Sequence, residues 1–253
     1  MRKSDMQNSC LHIFMDQPFK CQPMVIEQSG IKDNMQDHFL ILSYFVISVT
    51  STMHISSVPR VWIIGSSLIA RLEKHIIATR PPEFTLGLQC QIRWMGRGGM
   101  RWEHLLPLLR RTEGPSPDVM VIHLAGNNLG SQSGCSLMQH MREDLEWIIS
   151  TYPKTKLMFS NIVQRRVYRD QSARSSYGLE RTRRLINSGI AAFLRDRGLG
   201  GISHSNIRHN LDYYLKDGVH LNHRGNEVFL QNFHVGLSTA CCPVRVNQST
   251  YTC

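Results

Sequence analysis

The chain has 253 residues, 42% hydrophobic and 19% charged, with a formal net charge of +10 and a pI near 9.5. That balance excludes a disordered or repetitive chain, and the length suits one α/β domain with extensions. Seven cysteines, an odd number with Cys241 and Cys242 adjacent, do not form a disulfide framework and instead suggest free thiols in a reducing, cytoplasmic compartment.

Residues 1–57 lack the alternation of strand and helix patterns and read as an extension with little structure. Within them, Phe39 to Val49 is the strongest hydrophobic run, and it is shorter than the about 20 residues a bilayer span requires. No membrane span is expected. From there the predicted elements follow in order. Arg60 to Gly65 is a short apolar strand, and Leu68 to Ala78 is helical in spacing until Pro81-Pro82 stops it. A second strand covers Leu88 to Met95 and ends at Gly96-Arg97-Gly98-Gly99. Arg101 to Arg111 is helical, shortened or kinked by Pro107. Asp118 to Leu124 is a third strand, followed by Ala125-Gly126-Asn127-Asn128. Ser136 to Ser150 has the apolar spacing of an amphipathic helix. Lys156 to Ser160 is a fourth strand, and Tyr177 to Leu194 is a long helix with Leu185, Ile186, Ile190, Ala191 and Leu194 turned inward. Gly200 to Ser203 is a short fifth strand, and Arg224 to Leu237 closes the domain. Strands alternating with helices of this length predict a parallel sheet covered on both faces, a three-layer α/β/α sandwich of flavodoxin-like type.

The chemistry-bearing residues fall at the carboxyl ends of these strands, where open parallel sheets build their sites. Asp217-Gly218-Val219-His220 puts a carboxylate three residues before an imidazole, in the loop preceding the last helix. Such an Asp can hold one ring nitrogen so that the other faces a nucleophile. Ser67 stands at the strand-to-helix turn after Gly65, where a helix start offers free N–H groups. Glycines at 98 and 99 allow a backbone N–H to approach substrate, and an asparagine after the third strand can donate its amide to an oxyanion. Each piece alone has a plainer explanation: a helix cap, a flexible turn, a left-handed Asn pair, a local Asp–His bond. Their order and common position favour a site. No His or Cys spacing of a metal motif is present, so neither metal nor other cofactor is expected.

The same residues carry a resemblance to the SGNH hydrolase family, the GDSL-like esterases and lipases, over about residues 58 to 237 of an expected domain at 58–240. Gly65-Ser66-Ser67-Leu68 resembles the first block, Gly99 the second-block glycine, Gly126-Asn127-Asn128-Leu129 the third block, and Asp217-Gly218-Val219-His220 the fifth. It also suggests the variant carried by vertebrate transposon-derived proteins. The resemblance implies a catalytic Ser67, Asp217 and His220, and an oxyanion hole from Ser67, Gly99 and Asn128. It implies a serine esterase acting on a small acyl or acetyl ester. Two positions depart from the pattern: Ser66 replaces the usual Asp before the serine, and Leu129 replaces an acid after the asparagine.

The positive charge sits in the hydrolase-like part and is mostly arginine. Arg165, Arg166, Arg169 and Arg174 crowd the loop after the fourth strand, and Arg181, Arg183 and Arg184 open the next helix. A basic face attracts phosphates, so the alternative function is a catalytically silent module binding nucleic acid or a protein partner. A solvated surface or a site for an anionic substrate are the other readings of the same charge. Residues 241–253 are expected as a tail.

Overall fold

A computed structural model describes residues 58–168 and 176–241. The expectations for residues 1–57, for Arg169 and Arg174, and for the tail after Cys241 lie outside the described residues. Five strands form one parallel sheet: β1 (Arg60–Gly65), β2 (Gln91–Gly96), β3 (Val119–His123), β4 (Lys156–Ser160) and β5 (Gly200–Ile202), in the order β2-β1-β3-β4-β5. Five helices connect or follow them: α1 (Ser67–Thr79), α2 (Leu105–Arg110), α3 (Gly134–Thr151), α4 (Ser176–Arg195) and α5 (His223–Cys241). The strand order is flavodoxin-like, and it reverses direction between β1 and β3.

The three layers follow from the two-residue period of the strands. Trp62 and Ile64 in β1, Met120 and Ile122 in β3, and Leu157 and Phe159 in β4 face one core. That core is closed by Leu105 and Leu109 of α2, Leu137, Met141 and Leu145 of α3, and Ile186 and Ile190 of α4. Their neighbours Val61, Ile63, Val119, Val121 and Met158 face the other core, against Leu68, Ile69 and Leu72 of α1 and Phe229, Phe233 and Leu237 of α5. A strand buried on both sides cannot alternate apolar with polar, so β3 is apolar throughout until His123.

Several expectations shift at their edges. β2 starts at Gln91, because Leu88 closes a turn by donating its N–H to Thr85 O. The segment from Arg101 begins as a 3₁₀ turn, Trp102–His104, and becomes α2 only at Leu105. Pro107 therefore falls in the first turn of α2, where a missing N–H costs nothing. Leu185 is 56% exposed, not inward as its apolar character suggested. Leu179, Ile186, Ile190 and Leu194 hold the buried stripe at steps of seven and four residues, and position 185 lies off that stripe. Among the described residues Cys90, Cys135 and Cys241 are free thiols.

Candidate active site

Ser67 is the first residue of α1, directly beyond the end of β1. It sits at the point where strand order reverses, so its side chain stands in the crevice such sheets use for ligands. Ser66 precedes it as the helix N-cap but makes no side-chain capping bond, and it is buried. Ser67 is only half-buried. Of the two adjacent hydroxyls, Ser67 is the one aimed at the histidine: its Oγ lies 2.9 Å from His220 Nε2. On the far side of the ring, His220 Nδ1 lies 2.6 Å from Asp217 Oδ2.

The loop carrying the pair is tightly held. Asp217 Oδ1 accepts the N–H groups of Val219 and His220, both at 2.9 Å. Leu215 donates its N–H to His220 O and Gly218 to Leu215 O, while Arg166 and Val167 both donate to Gly218 O. Gly218 adopts φ +66°, a left-handed conformation that disfavours residues with a Cβ. Asn222 then caps α5, its Oδ1 accepting the Gly225 N–H at 2.9 Å. Partial burial pushes the Asp217 carboxyl upward. The bonds from the His220 ring and from the two backbone N–H groups, with the ring's charge, outweigh that and hold it well below the usual carboxylate range. The acceptor of the His220 ring is thus an ionised carboxylate with both oxygens occupied.

A cavity of about 660 Å³ opens beside Ser67 and His220, and Gly98, Gly99 and Asn127 line it. Arg97 O accepts the Met100 N–H across a turn whose third residue is Gly99, at φ +70°. That turn consumes the Met100 N–H and leaves the Gly99 N–H with no backbone acceptor among the described residues.

The third-block asparagine requires a correction. Asn128, the expected oxyanion donor, is only 2% exposed and turns away from this cavity. Its amide donates to Glu103 Oε2 at 2.8 Å and its Oδ1 accepts the Trp102 N–H at 2.9 Å. Asn127 lines the cavity instead. Arg165 donates to Asn127 Oδ1 at 3.0 Å, and Asn127 Nδ2 donates one hydrogen to Met100 O at 3.0 Å. An amide carries two hydrogens, so one is left for a ligand. The cause is the backbone at Ala125, a non-glycine residue at φ +73°. With the chain turned there, Asn127 and not Asn128 lines the cavity.

A second Ser–His contact is structural. Ser160 Oγ lies 2.9 Å from His123 Nδ1 and 2.7 Å from His204 Nε2, and Asn232 donates to His204 Nδ1 at 3.0 Å. Ser160 is 0% exposed, so no substrate reaches it. Among the described residues, His75, His223 and Glu227 are the groups whose donor atoms cluster as metal ligands would, within 4.8 Å. Glu227 there already receives His75 at 2.7 Å and Arg80 at 2.5 Å, which accounts for its position without an ion.

The arginines expected to form a basic face are largely occupied. Arg183 is bound to both oxygens of Glu180 and to Ile162 O. Arg184 also approaches Glu180, and Arg166 donates to the carbonyls of His209 and Leu211. Among the described arginines of that group only Arg165 lines the cavity, together with Arg71, Lys74 and Arg101.

No protein-family model and no curated protein matches the amino-acid sequence. Solved structures do match. A GDSL-like lipase from Bacteroides thetaiotaomicron VPI-5482 is 15% identical, with a TM-score of 0.55 over 79% of this chain and 97% of that one. A member of the lipolytic G-D-S-L family from Veillonella parvula DSM 2008 is 12% identical, with a TM-score of 0.53 over 71% and 98%. A mutant acetyl esterase holding an acetate ion is 14% identical, with a TM-score of 0.50 over 72% and 97%. The chain therefore has the SGNH hydrolase fold, the three-layer fold of the GDSL-like lipases.

Proposed function

We propose that this protein is a serine esterase that hydrolyses a small acyl or acetyl ester through Ser67, His220 and Asp217. The observation that carries the reading is the unbroken chain from Ser67 Oγ through both nitrogens of His220 to Asp217, with Ser67 at a cavity. Ser67 Oγ attacks the ester carbonyl carbon while His220 Nε2 takes its proton. Asp217 stabilises the resulting imidazolium and keeps Nδ1 protonated. The tetrahedral oxygen is received by the N–H groups of Ser67 and Gly99 and by the free hydrogen of the Asn127 amide. Collapse expels the alcohol, which takes the proton from His220, and leaves an acyl group on Ser67. A water then repeats the attack with His220 as base, releasing the carboxylic acid and restoring the serine.

Labelling of the purified protein with an uncharged fluorophosphonate serine probe tests this. Wild type is expected to label, Ser67→Ala to lose the label, and Ser66→Ala to retain it. A folded wild type that takes no label sinks the esterase reading. Label that survives Ser67→Ala but not Ser66→Ala moves the nucleophile to Ser66.

A further inference from the structure

The cavity beside Ser67 is strongly and one-sidedly charged. Arg71, Lys74, Arg101 and Arg165 line it, and among the described residues no Asp or Glu does. Several arginines elsewhere do have carboxylate partners: Arg60 with Asp118, Arg80 with Glu227, Arg183 with Glu180 and Arg197 with Glu146. Arg71, Lys74 and Arg101 are exposed. Of the three, Arg101 has a carboxylate near enough to feel its charge, that of Glu103. Like charges gathered in a cleft repel one another, and an anion entering the cleft relieves that repulsion.

Their placement is set by the helix. Ser67, Arg71 and Lys74 follow the i, i+4, i+7 spacing of α1, so they share one face. With a rise of about 1.5 Å per residue, the Cα atoms of these two residues stand roughly 6 and 10 Å along the axis from that of the nucleophile. Arg101 comes from across the cavity, just beyond the Gly98-Gly99 turn.

We infer that the cavity is a subsite for an anionic group, and that the substrate is a small ester carrying a carboxylate or phosphate roughly 6–10 Å from its scissile carbonyl. This rests on the esterase reading for the word substrate, but the anion subsite itself does not. Exposed ion pairs contribute up to about 1 kcal/mol each, about fivefold in affinity, so two or three cations give a preference of roughly 10- to 100-fold.

The measurement is a ratio, which cancels differences in folding between variants. kcat/KM is compared for the mono-p-nitrophenyl ester of adipic acid and for its neutral methyl ester, which places no charge at the subsite. Wild type is expected to favour the anionic ester by about tenfold or more at low salt, with the ratio falling towards 1 as salt screens the charges. In the Arg71→Gln, Lys74→Gln double variant the ratio is expected to fall about tenfold. A wild-type ratio near 1, or a ratio untouched by the double variant, overturns the inference.

A binding arm separates its failure from that of the esterase reading. Adipate and dimethyl adipate are titrated into Ser67→Ala protein by NMR, with no turnover required. Tighter binding of adipate, lost on neutralising Arg71 and Lys74, supports the subsite even if the fluorophosphonate probe fails to label wild type. Equal binding overturns it. Competition by glycerol phosphate against adipate tells phosphate from carboxylate. Single-stranded DNA that displaces adipate at stoichiometric concentration would reassign the charge to nucleic acid and overturn the small-ester inference.

Discussion

Two adjacent asparagines separate binding from structure at the residue scale. Asn128 holds the Trp102 N–H and Glu103 behind the cavity wall, whereas Asn127 keeps one amide hydrogen at the cavity. Replacing each by alanine should therefore damage different things. Asn127→Ala is expected to lower kcat by about 10²–10³ with little change in melting temperature, as for the loss of one oxyanion donor. Asn128→Ala strands the buried Trp102 N–H, so it is expected to cost about 1–3 kcal/mol of stability. Turnover and thermal melts on both variants check this, and a catalytic loss confined to Asn128→Ala would restore the assignment made from the block alone. The sequence could not separate the two residues because both are Asn, and the choice is made by the left-handed backbone at Ala125. The block pattern takes its glycine at Gly126, whereas the left-handed conformation lies one residue earlier, at Ala125 with φ +73°. Ser67, Asp217 and His220 were legible because the spacing of the Asp–His pair is local and the serine follows a recognisable strand end. The cations at 71, 74 and 101 were not, since charges on the outer face of a predicted helix look the same whether or not a cavity adjoins them.

The elements that bring Ser67 and His220 together are α1 and the loop before α5. The two helices lie on the same side of the sheet and share a core. Glu227 of α5 also binds His75 of α1 and Arg80 just beyond it. The loop is fixed from a second direction, because Arg166 and Val167 donate to Gly218 O. A Cβ added at Gly218 would stand 2.6 Å from Val167 Cγ2 and 3.1 Å from Val167 N. The left-handed backbone adds about 1–2 kcal/mol for any residue with a Cβ. Gly218→Ala is thus expected to lower the melting temperature by roughly 4–8 °C, the equivalent of about 2 kcal/mol in a domain of this size. It should also reduce kcat well below that melt, because Asp217 and His220 flank the strained residue. A variant with unchanged melting and turnover would mean that the loop is not held as described. Helices and strands of this kind were legible wherever burial imposed a period: Ile186, Ile190 and Leu194 declare α4 by their steps. Leu185 misled because an apolar side chain was counted as buried on its chemistry alone, although its position lies off the stripe.

For the whole molecule, the acid limb of stability should be set by histidines buried behind the sheet edge rather than by the candidate site. Burial, the largest influence, lowers His123 to about 4, with the Arg165 charge acting in the same direction against the bond to Ser160. Burial also lowers His204 well below its ordinary value, helped by the neighbouring charge of His123. The bonding pattern is consistent with neutral rings. Asn232 donates to His204 Nδ1, so His204 Nε2–H donates to Ser160, whose hydroxyl then donates to His123 Nδ1. Both folded values lie below the unfolded value of about 6.5, so below that pH the unfolded chain binds more protons than the native one. The stability is complete above about pH 6.5 and is lost as the pH falls towards 4, by an amount of roughly 3 kcal/mol for a shift of this size. Carboxylates held low by partners, such as Glu180 and Asp217, add their own loss only at lower pH. Chemical denaturation between pH 7.5 and 5 is therefore expected to show falling stability with proton uptake on unfolding. His204→Gln should flatten that slope while lowering stability at pH 7.5, where the hydrogen-bonded chain through Ser160 is broken. An unchanged slope in the variant would mean that His204 binds protons equally in the folded and unfolded chain, and that burial does not hold it neutral.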